Sequence, residues 1–413
     1  MTDQSQAFDI VIVGGGLVGS ALAARLGQAD RNLSIALLDA GSEPVLVETG
    51  EFDPRVVALT RQSQQLFIDI NAWADIQAVR ACPYTDMHVW DGDGTGNIHF
   101  NCHDINQANL GHIVENRVAL ASIYQQLRVL DNVHLLLKTR VVQLAGSEAQ
   151  RQIVLDDGRS LSAQLIIAAD GGHSKIRELA AIDVKEWAYG HKAIVSTVTC
   201  QEPHQYTAWQ RFTRTGPLAF LPLQQQAQGA EDEYQCSLVW SQQTQVADEL
   251  MALEEAKFNE QLARAFEYRL GAISHSDRRY CFPLTARHAR DYFRPGLVLV
   301  GDAAHSIHPL AGQGVNLGFA DAAVLAEEIF RARQRSIALS DESILRRYQR
   351  RRKPHNLITL AVMEGFKQLF GADDLAVRWL RNTGLKQVNH LSWMKNTIAR
   401  EILGAQHSSG GVR

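Results

Sequence analysis

The segment that most restricts what this chain can fold into lies at its N-terminus. An apolar run, Phe8–Val13, leads into Gly14-Gly15-Gly16-Leu17-Val18-Gly19. A stretch of helical spacing follows over Leu17–Leu26, then a second apolar run, Ser34–Asp39, that ends in an acid. Strands buried on both faces read as continuous apolar runs, so the pattern predicts strand, glycine turn, helix and parallel strand. In such a βαβ unit Gly14 permits the tight turn, Gly16 lets the backbone approach a pyrophosphate, and Gly19 allows close helix–strand packing. The diphosphate would rest at the helix N-terminus, where free N–H groups and the helix dipole favour negative charge. Asp39 is positioned to accept hydrogen bonds from ribose hydroxyls. The unit predicts a dinucleotide and by itself leaves NAD and FAD open.

Two motifs far downstream narrow the choice. Ala169-Asp170-Gly171-Gly172-His173-Ser174-Lys175-Ile176-Arg177 follows the apolar run Leu165–Asp170. Gly301-Asp302-Ala303-Ala304-His305 closes the run Leu297–Asp302. The chain continues through Ser306-Ile307-His308-Pro309-Leu310-Ala311-Gly312-Gln313 to a helix opened by Gly314-Val315-Asn316. Each apolar run predicts a buried strand that delivers a polar group at its C-terminal end. Asp302 is suited to a ribityl hydroxyl, and backbone N–H groups across Gly312–Val315 to an anionic ring edge.

Between these motifs the pattern changes. His191–Cys200, Tyr206–Thr213, Gly216–Leu223 and Tyr234–Trp240 alternate with period two and are rich in β-branched and aromatic residues, which predicts an antiparallel sheet. Gln224–Glu233 reads as a polar loop and Asp248–Leu270 has helical spacing. The fold class expected is α/β: a Rossmann-like cofactor domain (residues 1–75, 104–183 and 281–335) with an inserted antiparallel substrate domain (76–103 and 184–280). A helical segment, 336–413, follows. Three helical faces are expected toward the C-terminus: Phe319, Ala322, Ala323, Ala326, Ile329 and Phe330; then Ile358, Val362, Phe366, Leu369 and Phe370; then Leu391, Met394, Ile398 and Ile402.

With these motifs in place, the chain resembles the class A flavoprotein monooxygenases of the para-hydroxybenzoate hydroxylase fold, and most closely their ubiquinone-biosynthesis aromatic hydroxylases. The resemblance runs to about residue 385 and includes DPRVVALT at 53–60, LGHIVENR at 110–117, ADGGHSKIR at 169–177 and GDAAHSIHPLAGQGVNLG at 301–318. It implies that Gly14, Gly16, Gly19 and Asp39 hold the ADP half of FAD. Arg55 and Arg117 would sit beside the flavin and its diphosphate. Asp170 and Gly171 form the family's DG motif, tied to FAD and NAD(P)H, and Gly301-Asp302 would hold the ribityl chain. Pro309, Gly312, Gly314 and Asn316 would border the isoalloxazine; Pro309, Gly312 and Gly314 form the catalytic front, with no side-chain acid or base required. Asp39 stands where many relatives carry Glu, and the shorter acid can still bond ribose.

The implied reaction is hydroxylation of an aromatic ring through a flavin hydroperoxide, with NADPH or NADH as electron donor and O2 as co-substrate. The implied substrate is a small aromatic or prenylated phenol of ubiquinone biosynthesis. Trp209, Phe212, Phe220 and Trp240 are candidate pocket walls, with ordinary sheet packing favoured for any one of them. Pro222 is placed near the pocket by resemblance alone. An insoluble prenyl tail would suit contact with a biosynthetic complex or with the inner membrane surface, and a homo-oligomer is compatible. The competing readings are a FAD-dependent reductase or dehydrogenase, for which no second GxGxxG is found after Gly19, and a flavin-stabilised, non-catalytic member of a complex.

Composition removes other classes. Lys and Arg number 41 against 45 Asp and Glu, a net charge of −4 with no general attraction to nucleic acid. Five scattered cysteines without CxxC spacing argue against a disulfide framework or zinc site and fit a reducing cytosol. The apolar run at the N-terminus is short, lacks a preceding basic region, and does not read as a signal peptide. His305 and His308 lack a third ligand at metal spacing, so no metal is expected. The basic run Arg346-Arg347-Tyr348-Gln349-Arg350-Arg351-Arg352-Lys353 reads first as a solvated helix face.

Overall fold

The computed structural model describes residues 6–45, 50–92, 94–147, 150–224, 233–306 and 313–371. Its first layer is a sheet whose parallel core runs in the order 297–299, 160–168, 6–13, 35–39, 133–137. Ile12 lies opposite both Ile167 and Leu37, and Leu37 opposite Leu135. Ile10, Val11 and Ile12 are fully buried, which is why these strands are apolar without alternation. The helix Leu17–Ala29 packs against the helices Asn116–Arg128 and Gln313–Gln334. The strand before the DG motif ends at Ala168, and the later one at Leu299. Asp170 and Asp302 therefore stand in the turns beyond their strands, Asp302 within a 3-10 turn over Gly301–Ala303.

The second layer is a nine-stranded sheet built from the segments 86–101, 184–243, 273–289 and 305–306. Its pairings are antiparallel except that Thr207–Thr213 runs parallel to Asp86–Asp91. Tyr280–Ala289 belongs to this sheet; the chain then crosses to the first sheet for Leu297–Leu299 and returns for His305–Ser306 just before the glycine-rich turn. The helical stretch expected over 248–270 is two helices, Thr244–Met251 and Glu255–Ala265. They cover the outer face of the sheet.

Alternation along the strands decides which side chains meet which layer. Phe220, Leu238 and Trp240 pack outward with Phe258 and Phe266, and Trp209 lies against the same cluster. Leu221 and Leu223 face inward, toward Ala58 and Ile113. Between the layers sits a three-stranded sheet, in the order Val56–Leu59, Gly111–Glu115, Cys82–Tyr84. Its Val57, Leu59 and Val114 belong to the first core, whereas Ala58 and Ile113 belong to the inner core of the second. A strand two-faced in this way joins the layers without a linker.

The helix Gln313–Gln334 buries Phe319, Ala322, Ala326 and Ile329 as its spacing predicts. The next helix, Glu342–Gly371, differs: Ile358 and Val362 are exposed, as is Leu357. The side chains of Phe366, Leu369 and Phe370, and the stretch bearing Leu391, Met394, Ile398 and Ile402, lie outside the described residues. No helix among the described residues is long and apolar enough to cross a membrane.

His112, on the central strand Gly111–Glu115, is 6% exposed, lies edge-on to Trp73, and its Nδ1 has no hydrogen-bond partner among the described residues. Burial, assisted by Arg61, depresses its pKa to about 4. The unfolded chain takes up this proton near pH 6.5 and the folded chain only near pH 4, so stability present above pH 6.5 is lost as the pH falls through that window. The loss from this group is expected to reach about 3 kcal/mol. Denaturant titrations at a series of pH values should show a shallower acid decline for His112→Gln than for the native chain.

Candidate active site

The glycine turn is shaped by what its side chains would strike. Gly14 has φ +109°, and a Cβ there would lie 2.3 Å from Ala169 O, on the neighbouring strand's exit. A Cβ at Gly19 would lie 2.0 Å from Gly14 O. At Gly16 a Cβ would meet nothing within 4 Å. The first and third glycines are thus needed for packing, while the second borders open space at the helix N-terminus. Tyr124, from the helix Asn116–Arg128, donates its hydroxyl to Gly15 O at 3.0 Å and fixes the turn from behind.

That open space is a cavity of about 630 Å³. Of the sequence-predicted residues, it brings together Gly16, Arg55, Arg117, Gly171, Asp302 and Gly314. Gly14, Gly19 and Gly301 stand behind its wall, Gly301 against Val18. A smaller cavity of about 220 Å³ near Tyr124 shares Pro44 and Val45 with the larger one. Pro309 and Gly312 lie outside the described residues. A separate depression of about 600 Å³ beside Glu255 and Tyr268 is lined by no motif residue.

Asp39 already accepts Gly15 N–H at 2.7 Å through one oxygen and Gly41 N–H at 2.6 Å through the other. A carboxylate has about four acceptor positions, so each oxygen retains capacity for a ribose hydroxyl. Asp302 is open to the cavity yet ringed by protein. Burial raises its carboxyl pKa, while His305 and Arg287 pull it down. Asp170 is likewise raised by burial, opposed by the Ser174 hydroxyl and the Ile176 N–H, which donates to one of its oxygens at 3.1 Å. The other Asp170 oxygen has no partner among the described residues.

Two arginines approach from the opposite wall. Arg55 is 68% exposed and only loosely paired with Asp53 at 3.8 Å, so it is free to follow an anion. Arg117 is held: its Nε donates to Glu115 at 2.9 Å and its terminal nitrogen to Glu51 O. Glu115 itself is buried, accepts Asp53 N–H at 2.6 Å, and pairs with buried Arg80 at 2.9 Å. Sequence reading passed over Glu115, although it adjoins Arg117 in the quoted LGHIVENR segment.

Asn316 is not a wall of the cavity. Its Oδ1 accepts the Thr60 N–H at 3.1 Å and the Ser63 hydroxyl at 2.7 Å, and its Nδ2 donates to Ala58 O at 2.8 Å. It clamps the start of the helix Gln313–Gln334 onto the strand Val56–Leu59, because a buried strand end needs those bonds. The candidate aromatic walls are also reassigned: Phe220 and Trp240 face the outer helices, as ordinary sheet packing requires. Pro222 is buried at the end of its strand, opposite Cys236.

The site fits FAD on three observations. An open helix N-terminus meets the cavity at Gly16; Asp302 lines the cavity and Asp39 stands against the glycine turn at Gly15, each with spare acceptor capacity. In addition, the buried Oδ1 of Asn116 and Oγ of Ser306 border the cavity without a partner among the described residues. A flavin dinucleotide carries the phosphates, hydroxyls and ring edge that such groups require.

Comparisons with known proteins agree. A family model described as FAD binding domain matches residues 126–360, and one described as lycopene cyclase protein matches residues 9–197. Among solved structures, p-nitrophenol 4-monooxygenase PnpA from Pseudomonas putida DLL-E4 superposes with a TM-score of 0.77 at 19% identity, covering 97% of this chain and 100% of that one. OxyS anhydrotetracycline hydroxylase from Streptomyces rimosus does so at 0.70 and 19%, covering 97% and 76%. The fold is that of the FAD-dependent monooxygenases. The 3-demethoxyubiquinol 3-hydroxylase of Escherichia coli (strain K12) is 34% identical over 400 residues, covering 97% of this chain and 99% of its own. Ubiquinone hydroxylase UbiL of Rhodospirillum rubrum is 33% identical over 396 residues, covering 96% and 89%. The chain belongs to the ubiquinone-biosynthesis hydroxylase family of FAD-dependent monooxygenases.

Removing Arg117 and removing Asn316 should have separable effects. Arg117→Ala is expected to raise the FAD dissociation constant about tenfold, the scale of one charge-assisted contact. Asn316→Ala is expected to lower stability by about 1–3 kcal/mol by orphaning buried groups. Flavin fluorescence titration and denaturant unfolding, applied to both variants, check the two outcomes.

Proposed function

We propose that this chain hydroxylates the aromatic ring of a polyprenylated phenol intermediate of ubiquinone biosynthesis, using FAD, NAD(P)H and O2. The observation that carries the reading is the full-length similarity to ubiquinone hydroxylases, together with one cavity that gathers Gly16, Arg117, Gly171, Asp302 and Gly314. When bound, FAD supplies the oxygenation chemistry, passing electrons from NAD(P)H to O2 and one oxygen atom to the ring.

The chain's own residues would bind and orient. The helix N-terminus at Gly16 and the guanidinium groups of Arg55 and Arg117 would balance the diphosphate. Asp39 would take the ribose and Asp302 the ribityl chain. Gly171 and Gly314 would give backbone access on either side of the ring, with Pro309 and Gly312 completing its front. The first layer would carry the cofactor. The inner face of the nine-stranded sheet, with Leu221 and Leu223, would exclude water above it.

The exposed stripe of Leu357, Ile358 and Val362 supports peripheral membrane contact, which an insoluble prenyl tail would favour. The basic run on the same helix adds little to such contact. Arg346 pairs with Glu342, Arg347 and Arg351 with the buried Glu328, and Arg352 with Asp321. Liposome flotation should therefore depend weakly on anionic lipid and fall for Ile358→Asp.

The reaction is tested by reducing the purified holoenzyme anaerobically with NADPH or NADH and then admitting oxygen with a short-chain prenylphenol. Hydroxylated product, formed in step with nicotinamide oxidised, is the expected result. Nicotinamide oxidation that yields hydrogen peroxide and unchanged phenol would refute the reading, and no substrate-dependent oxidation at all would favour a non-catalytic component.

A further inference from the structure

One arginine of the basic run is buried, and what it touches leads to the cofactor. Arg352 is 6% exposed and donates from Nε to Asp321 at 2.7 Å. A terminal nitrogen donates to Asn356 Oδ1 at 2.8 Å, and Asn356 in turn donates to the same Asp321 oxygen at 3.2 Å. Asp321 is fully buried. Its second oxygen meets two groups of the GDAAH segment, the Gly301 N–H at 3.1 Å and His305 Nε2 at 2.6 Å. All four acceptor positions of one carboxylate are thus engaged, two by the C-terminal helix and two by the turn that carries Asp302.

The rest of the turn is held from elsewhere: Arg177 donates to Ala303 O at 2.8 Å, the Ala289 N–H to Ala304 O at 2.8 Å, and His305 pairs with His288 in the second sheet, whereas the Gly301 N–H is bonded by Asp321. Gly301 holds φ +58°, and the 3-10 turn is closed by one bond, from Ala304 N–H to Gly301 O at 2.9 Å. Burial alone would raise the Asp321 carboxyl, but His305 and Arg352 outweigh it and hold it at about 2. A fixed anion behind the turn determines where the Gly301 N–H and the His305 ring point. Asp302, the residue between them, is the side chain that faces the cavity.

We propose that Asp321, anchored by Arg352, is a positioning residue for the cofactor: it fixes Gly301 and His305 and so aims Asp302 at the bound FAD. The inference rests on the reading of Asp302 as a FAD contact. It also assigns a task to the C-terminal helix, one turn before its exposed stripe. Helix docking alone does not need this carboxylate, since Tyr348 of the same helix already donates to Leu299 O at 3.0 Å.

The test compares five variants of the full chain for FAD dissociation constant, visible flavin spectrum and melting temperature. Asp321→Asn and Arg352→Met are expected to raise the dissociation constant about tenfold or more, the scale of losing an outer partner of a binding group, and to shift the flavin absorption. Arg352→Lys keeps the charge but loses the fork that bonds both Asp321 and Asn356, so it should fall between them and the native chain. It also serves if Arg352→Met is too unstable to purify. Tyr348→Phe should lower the melting temperature while leaving affinity and spectrum unchanged. Native affinity and spectrum in Arg352→Lys and Asp321→Asn, with only melting lowered, would overturn the proposal. Asp302→Ala separates the underlying reading: if it alone leaves affinity unchanged, Asp302 is not a FAD contact and the proposal falls with it.

Discussion

The cofactor site depends on a contact between backbones. Where the first strand turns into the first helix, the Gly14 carbonyl lies against Gly19, and Gly14 itself lies against the exit of the strand Ser160–Ala168. No side chain larger than hydrogen fits at either point. This contact sets the helix N-terminus above the ends of three parallel strands, where residues from distant parts of the chain converge. Arg117, Gly171 and Asp302 share one cavity because the strands that precede them are registered to this turn or to the small sheet beside it.

Around that contact, buried charge is arranged to fix loops rather than to react. Glu115 gathers Arg80, Arg117 and the Asp53 amide at one wall; Asp321 gathers Arg352, His305 and the Gly301 amide at another. A buried carboxylate ringed by such partners holds them in one geometry, and removing a single partner leaves an uncompensated charge. Glu328, fully buried under Arg331, Arg347 and Arg351, does the same for the packing of the two last described helices.

The backbone architecture was legible because its causes are local. Continuous apolar runs, glycines at fixed offsets and period-two alternation each report one element's surroundings. The direction of individual side chains was harder to read. Trp209 and Phe220 carry the same composition whether they face a pocket or an outer helix, and only the register of the strand decides. The partners of Asn316 and of the arginine run were hidden for a related reason: Ala58, Asp321 and Glu328 are remote in sequence or a helix away, and no spacing rule connects them. Glu115 was hidden beside a more conspicuous arginine. The exposed Ile358 and Val362 show the converse, a helical stripe that was correctly spaced but has no described core to face.

The parallel pairing of Asp86–Asp91 with Thr207–Thr213 bears on how the chain comes together. The edge of the second sheet is made early and its partner late, while the first sheet receives the strand Leu297–Leu299 only after all but the last strand of the second sheet has been passed. During synthesis both sheets thus stand with unpaired edges over a long stretch of emerging chain. Such non-local closure is slow and leaves strand edges open to wrong partners. The order of assembly from the ribosome, and the need for shielding until residue 299 has emerged, are therefore properties of the same topology that builds the cleft.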